Sequence, residues 1–305
     1  MPNWCVNQLH IDGPDSDAII ELMTQPKPQL HQQASRAAAK LFLAGVGGLL
    51  KPTYPMSFEL YPDLVREVGS STPENRAFTK FVTLMKQPNV VLNDEVCQWI
   101  LALFEESGLK QRCWGDLPKV ARKKIAPLLK KQASDWTRLY FSRLALDILW
   151  TKLDLPEPAS ETESFSLRVL VPPTLLVELN GFNGGLFAHD SQIPSGYCDN
   201  VDQLGTKWEQ VSVDEIAPGR LEFETAWSPA SPAIAALASR FPNTKITHYF
   251  AESGCAFAGY VHYVNGMNDE EICEDMVFSE QENEDGYCDV EGPDYLLRYF
   301  SRYGG

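Results

Sequence analysis

The apolar residues of this chain keep two different periods, and the switch between them limits the fold more than any other feature. Near the start, Cys5, Asn7, Leu9 and Ile11 share one side of an alternating pattern, and Trp4, Val6, Gln8 and His10 share the other. That alternation predicts a strand over residues 3–11 with both faces partly covered. From about residue 30 to 153 the period is helical, and after residue 164 it returns to two. The strand-forming parts are therefore expected to reunite in space across a long helical excursion.

Local signals place the elements. Gly13-Pro14 breaks the first strand, and Asp15 or Ser16 caps a helix whose stripe is Ala18, Ile19, Leu22 and Met23, ended by Pro26 and Pro28. An Ala- and Gln-rich helix covers residues 30–44 and ends in Gly45-Val46-Gly47-Gly48. Thr72-Pro73-Glu74 and Asn93-Asp94-Glu95 start two more, with Phe78, Phe81, Val82 and Met85 on one and Val96, Ile100, Leu103 and Phe104 on the other. A third start at Ser134-Asp135 predicts one helix through Trp136, Leu139, Tyr140, Leu144, Ile148 and Trp150, apolar over a wide arc and so expected to be central. Leu155 to Ser164 reads as a linker.

Beyond the linker, strands are predicted over Trp208–Ile216 and Leu221–Trp227 around the turn Ala217-Pro218-Gly219, with Leu221, Phe223, Thr225 and Trp227 on one face. Ser231-Pro232 opens a helix carrying Ile234, Leu237, Ala238 and Phe241. Strands over Lys245–Ala251 and Cys255–Val264 follow, joined by a hairpin at Glu252-Ser253-Gly254. With the helical block removed, the order is β-α-β-β-α-β plus an extra strand. The predicted fold class is α+β: a ferredoxin-like core with a large helical insertion and an acidic C-terminal extension. The expected boundaries are 1–25 plus 165–264 for the core, 26–164 for insertion and linker, and 265–305 for the extension. In that fold the first and third strands lie together at the centre, which puts Trp4 and Cys5 beside the strand ending at Trp227.

Of the 305 residues 44% are apolar, enough for a substantial core, and the net charge is −15 with a pI near 4.8. Uniform coating of double-stranded DNA is disfavoured by that charge. The charge is also segregated: residues 28–155 carry an excess of six basic groups, and residues 264–305 an excess of ten acidic ones. No apolar run approaches the ~18 residues of a membrane span. The first residues show neither a basic leader nor an apolar stretch, so a cytoplasmic location is expected. Seven cysteines without C-x-x-C spacing fit free thiols in a reducing compartment.

Three strings look familiar together: Pro2-Asn3-Trp4-Cys5-Val6-Asn7; Asn200-Val201-Asp202 with Gly205-Thr206-Lys207-Trp208; and Thr225-Ala226-Trp227-Ser228-Pro229. They resemble the YubB-type ferredoxin-like family, a domain of unknown function, and Tyr249, Glu252, Gly254, Phe257 and Gly259 fit its closing hairpin. The resemblance covers residues 1–25 and about 165–264. The stretch from Leu41-Phe42-Leu43-Ala44-Gly45 to Leu49-Leu50-Lys51-Pro52 is similar to the longer plasmid- and phage-borne branch. The resemblance implies a mobile-element origin and carries no catalytic residues across.

Three groups of residues are candidate contact surfaces. The basic run Lys119, Arg122, Lys123, Lys124, Lys130 and Lys131 reads as a solvated helix face, as a dock for the acidic tail, or as a contact for nucleic-acid phosphate or an acidic partner. Pro127 is expected to interrupt it as a single helix. The acidic run Asp269, Glu270, Glu271, Glu274 and Asp275, continued by Glu280, Glu282, Glu284 and Asp285, reads as a flexible solubilising tail or as a phosphate-like row for a DNA-binding enzyme's cleft. The terminal Tyr295, Leu296, Leu297, Tyr299 and Phe300 argue that the end docks somewhere. Trp4, Trp208 and Trp227 read as packing between sheet and helices, or as a stacking platform of the kind RNA-binding sheets use.

Catalytic templates for hydrolases, zinc proteases and phosphate-binding loops are absent from the sequence. His248, His262 and Cys255 form the sole candidate cluster for metal or thiol chemistry. No cofactor, metal or membrane partner is expected. The expected function is a non-enzymatic plasmid- or phage-encoded protein that binds and modulates a host protein, in defence or DNA processing. The alternative is a single-stranded nucleic-acid binder that uses the basic block and exposed tryptophans.

Overall fold

The computed structural model describes residues 2–25, 30–137, 144–154, 164–188, 191–283, 286 and 288–304. The chain forms two compact units: Met1–Lys27, Ala159–Val171 and Asn200–Gly305 make one, and Pro28–Pro158 with Pro172–Asp199 make the other. In chain order the first half holds β1 (Trp4–Asp12), α1 (Ser16–Thr24), α2 (Leu30–Val46), α3 (Pro73–Met85), α4 (Asp94–Glu106), α5 (Lys119–Lys131), α6 (Ala133–Thr137) and α7 (Leu146–Lys152). Then come β2 (Ser164–Ser166), α8 (Leu175–Asn180), α9 (Gly196–Leu204), β3 (Gln210–Ala217), β4 (Arg220–Ala226), α10 (Ser231–Arg240), β5 (Lys245–Glu252) and β6 (Phe257–Val264). The end of the chain is β7 (Met267–Asp275), β8 (Val277–Glu282), β9 (Cys288–Gly292) and α11 (Asp294–Tyr299).

The sheet unit has seven strands in the order β2-β3-β4-β1-β5-β6-β7. Its middle, β3-β4-β1-β5, is the ferredoxin-like arrangement expected from the element order. Trp4 lies opposite Ala226 and Cys5 opposite Thr225, as predicted. One face buries Cys5, Leu9 and Ile11 against Ile19, Leu22 and Met23 of α1 and Ala233, Ile234 and Leu237 of α10. The other face buries Val6, Ala251 and Ala258 under Leu296 and Phe300, so the expected docking of the C-terminus is onto the sheet.

Several expectations are corrected. The acidic residues after 264 do not trail as a flexible tail: β7 pairs with β6 along its length, and β8 and β9 form their own hairpin. Glu284 and Asp285 lie outside the described residues, as do Pro26, Pro28 and linker residues 155–163. The predicted helix from Ser134 to Trp150 is not one helix. α6 ends at Thr137, and α7 begins afresh after an extended Ala145; Leu139 and Tyr140 lie outside the described residues. The central helix of the second unit is α2, buried along most of its length from His31 to Gly45. Its alanines let α3, α4 and α5 approach closely, which a bulkier apolar stripe would prevent. Pro172–Asp199, expected with the sheet, belongs to the helical unit. Within that unit Lys40 is fully buried, ion-paired with Asp154, and its ammonium lies 4.6 Å from the Trp150 ring.

One polar group is central to the sheet core. Asn7 donates to Cys5 O (2.9 Å) and Thr225 Oγ1 (2.8 Å), and its Oδ1 accepts from Ala230 N (3.1 Å). The same Oδ1 lies 2.9 Å from His248 Nε2. Because Oδ1 only accepts, His248 carries its proton on Nε2. Burial holds its pKa down at about 3.

Two predictions follow from this packing. An unfolded chain protonates histidine near 6.5, whereas folded His248 stays neutral to about pH 3. The unfolded state takes the proton first, so stability falls as pH drops below 6.5, by roughly 1.4 kcal/mol per unit from this residue. His248→Gln, which keeps a donor for Asn7, is expected to flatten that slope in urea denaturation between pH 6 and 4.5; an unchanged slope would contradict it. Ending the chain at Pro293 removes Leu296 and Phe300 from Val6, Ala251 and Ala258. The expected loss is about 3–6 kcal/mol, read from the denaturation midpoint, with new binding of a hydrophobic dye.

Candidate functional site

β7 is an edge strand, paired on one side only within the seven-stranded sheet. Of its nine residues, five are Asp or Glu: Asp269, Glu270, Glu271, Glu274 and Asp275, all exposed. Side chains alternate across a strand. Glu270 and Glu274 therefore share the face of Tyr260 and His262, and Glu271 and Asp275 take the other. At about 3.3 Å per residue this is about one charge per 6 Å of strand, about half the line density of one DNA strand. Glu270 Oε2 lies 3.7 Å from His262 Nε2. Among the described residues no lysine or arginine pairs with β7. The field is felt nearby: burial first, and then Glu274, hold the Tyr295 hydroxyl above its ordinary range.

The sheet face beside this edge is lined by aromatic side chains, and the chain covers part of it with its own end. The Tyr299 ring is 4.7 Å from His10 and 4.8 Å from Tyr249, and Tyr295 is 5.4 Å from Tyr260. Burial and the Arg220 guanidinium hold His10 down at about 4. Gln8 Nε2 donates to Tyr299 O (2.9 Å), and Ser253 Oγ donates to Gly304 O. Arg302 reaches Glu222 at 3.2 Å and Glu224 at 3.7 Å. This is the surface on which RNA-binding sheets of the same topology stack bases; here Tyr299 stands over its middle.

The tryptophans are only partly a strand feature. Trp4 lies in β1, but Trp208 precedes β3 and Trp227 follows β4, so neither occupies the predicted strand position. Trp4 and Trp208 are half-buried against each other, with ring centroids 5.8 Å apart, and Lys207 Nζ lies 4.9 Å from the Trp208 ring. Trp227 does not share the buried face of Leu221, Phe223 and Thr225. Its φ is 73°, and 48% of its surface is exposed. The strand pattern gave no signal for that turn; the cue available was a bulky residue directly before Ser228-Pro229.

The basic run lies on one helix after all. α5 continues through Pro127, because that residue faces solvent and the carbonyl it leaves unbonded, on Lys123, can be hydrated. Ala121, Ile125 and Leu129 are buried; Lys119, Lys123, Lys124, Lys130 and Lys131 are exposed and Arg122 is half-buried. Lys131 Nζ donates to Gly185 O (2.6 Å). α5 belongs to the helical unit and the three tryptophans to the sheet unit.

The sequence-level catalytic cluster does not assemble. His248 and His262 sit on neighbouring strands, but Thr247, not His248, is opposite His262, so the two rings project from opposite faces. His262 Nδ1 lies 2.9 Å from Thr247 Oγ1. Cys255 is exposed, but its thiol's hydrogen bond to the Glu252 carboxylate and that carboxylate's charge raise its pKa, which opposes thiolate chemistry. The glycine loop 181–185 is committed to its own fold: Asn180 Oδ1 accepts from Gly185 N (3.0 Å) and Leu186 N (3.1 Å), and Asp135 accepts from Asn183 N (3.1 Å). Among the described residues, no three His, Cys, Asp or Glu side chains converge as metal ligands. Among the described residues, no helix is long and apolar enough to cross a membrane.

Comparison with known proteins agrees with this architecture. Residues 27–208 match the family described as a protein of unknown function, DUF1281, and residues 206–291 match the ferredoxin-like domain in Api92-like protein. The chain is 33% identical to YubA of Escherichia coli K12 over 156 residues, covering 50% of this chain and 92% of YubA. It is 31% identical to YubB of the same organism over 147 residues, covering 46% of this chain and 99% of YubB. Both relatives are described as uncharacterised. The crystal structure of protein api92 from Yersinia pseudotuberculosis superposes with a TM-score of 0.77 at 25% identity, over 89% of this chain and 98% of that one. The helical block, the ferredoxin-like sheet and their order along the chain thus place it in a known group: it belongs to the DUF1281 family and carries that family's ferredoxin-like C-terminal domain.

Proposed function

We propose that this chain is a non-enzymatic binding protein whose β7 edge engages a basic surface on a partner protein. One observation carries the proposal: an edge strand whose five carboxylates face no lysine or arginine partner among the described residues. A sheet edge is a template for another strand, and charge decides which one it accepts. Two copies of this edge repel each other, whereas a basic surface is attracted and steered. The plasmid- or phage-borne origin implied by the resemblance makes a host DNA-processing or defence protein the partner class proposed. The basic cleft of such a protein, built for a phosphate backbone, suits a row of carboxylates.

A second reading rests on α5. Lys119, Lys123 and Lys130 project from one exposed arc of an unbroken helix, which suits phosphate contacts of a single strand.

The test uses immobilised protamine as the basic probe, with duplex DNA as competitor. The triple variant Glu270→Lys, Glu271→Lys, Glu274→Lys is expected to bind at least about tenfold more weakly at low salt. A control, Asp17→Lys with Glu21→Lys on exposed α1 positions, changes charge away from β7 and is expected to lose far less. Equal losses in both variants would reduce the effect to net charge and remove β7 as the surface. Salt-sensitive binding of a labelled oligonucleotide, lost on Lys119→Glu with Lys123→Glu and Lys130→Glu, would favour the second reading.

A further inference from the structure

Trp227 holds an exposed indole on a strained backbone. A φ of 73° is the left-handed region, which strains a bulky L-residue and costs a glycine almost nothing. The neighbours hold that conformation from several directions. Trp227 N donates to Asn3 O (2.9 Å). Ala226 N donates to Thr206 Oγ1 (3.2 Å), which donates back to Ala226 O (3.1 Å). Thr225 Oγ1 donates to Ser228 O (2.7 Å), and Ser228 Oγ donates to Gly205 O (2.5 Å). These bonds fix the turn whatever side chain residue 227 carries. The 48% exposure shows that the indole is not fully used inside the fold, unlike Trp4 and Trp208, which pack against each other.

The pairing register places this residue at the same end of the sheet as the last residue of β7. Ala226 is opposite Trp4, Val6 is opposite Ala251, Glu252 is opposite Phe257, and Phe257 is opposite Asp275. Crossing from β4 to β7 takes four strand spacings, about 19 Å. That is within the breadth of one ordinary protein interface of about 800 Å² per partner.

We propose that Trp227 is the anchor of the partner interface, its indole stacking on an arginine side chain of the basic partner while the β7 carboxylates meet the flanking cations. The proposal rests on the assignment of β7 to a basic partner. Tryptophan offers the best aromatic face for a guanidinium, and buried tryptophans dominate the binding energy of protein interfaces.

The test uses the full chain labelled with 5-fluorotryptophan, with the Trp227 resonance assigned by its loss in Trp227→Phe. Added deca-arginine peptide is expected to shift that resonance, and deca-glutamate is not. Trp227→Gly removes both the indole and the strain. It is expected to leave the urea midpoint unchanged or raised while weakening protamine binding at least tenfold. A lowered midpoint, or a Trp227 resonance that deca-arginine leaves in place, overturns the anchor. Full binding by Trp227→Gly alongside loss in the β7 triple variant overturns the anchor and leaves the β7 surface standing. Full binding by both variants overturns both.

Discussion

The pairing of β1 with β4 on one side and β5 on the other is the constraint on which the sheet unit depends. β1 supplies residues to both sheet faces, and neither face closes without it. Asn7 concentrates this dependence in one side chain, which joins β1 to Thr225 of β4, to Ala230 before α10 and to His248 of β5. Buried polar groups are costly unless they are bonded, and the bonds of Asn7 are made by segments far apart in sequence. The network therefore admits one register: sliding β1 by a residue would send Asn7 to the opposite face and strand its partners.

With both sheet faces occupied, by α1 and α10 on one side and partly by the C-terminal segment on the other, the sheet unit offers its surroundings mostly rims. β7 is one rim and the turn at Trp227 another. They differ in kind. β7 presents charge with little apolar area, which favours fast encounter and discrimination by sign. Trp227 presents apolar area on a fixed backbone, which favours slow release.

Much of this was legible in the sequence where side-chain period is a direct image of burial. β1, β4, β5 and β6 alternate because each lies between a covered face and a partly covered one, and the capping signals at Thr72, Asn93 and Ser231-Pro232 mark real helix starts. β7 was harder to see, since acidic residues are poor strand formers on average and an edge strand needs only one partner to override that preference. The centrality of α2 was hidden because small alanines signal close approach rather than hydrophobic weight. Pro127 misled because the local rule concerns a lost hydrogen bond, while the position of that bond toward solvent decides its cost. The turn at Trp227 left no trace in periodicity: its shape is imposed by Asn3 and Thr206, distant in sequence, and by the hydrogen bond of the adjacent Ser228, which an alternating pattern does not register.

The placement of β1 also shapes how the chain is made. β1 leaves the ribosome about 200 residues ahead of β4 and β5, the two strands it pairs with. At about 5–20 residues per second, β1 waits on the order of 10–40 s for its neighbours, during which the helical unit can complete itself. α11 and the residues after it, which cover Val6, emerge later than every strand of the sheet. A nascent chain stalled short of it would hold a correctly paired sheet with a bare apolar face, a form that chaperones recognise and finished molecules do not display.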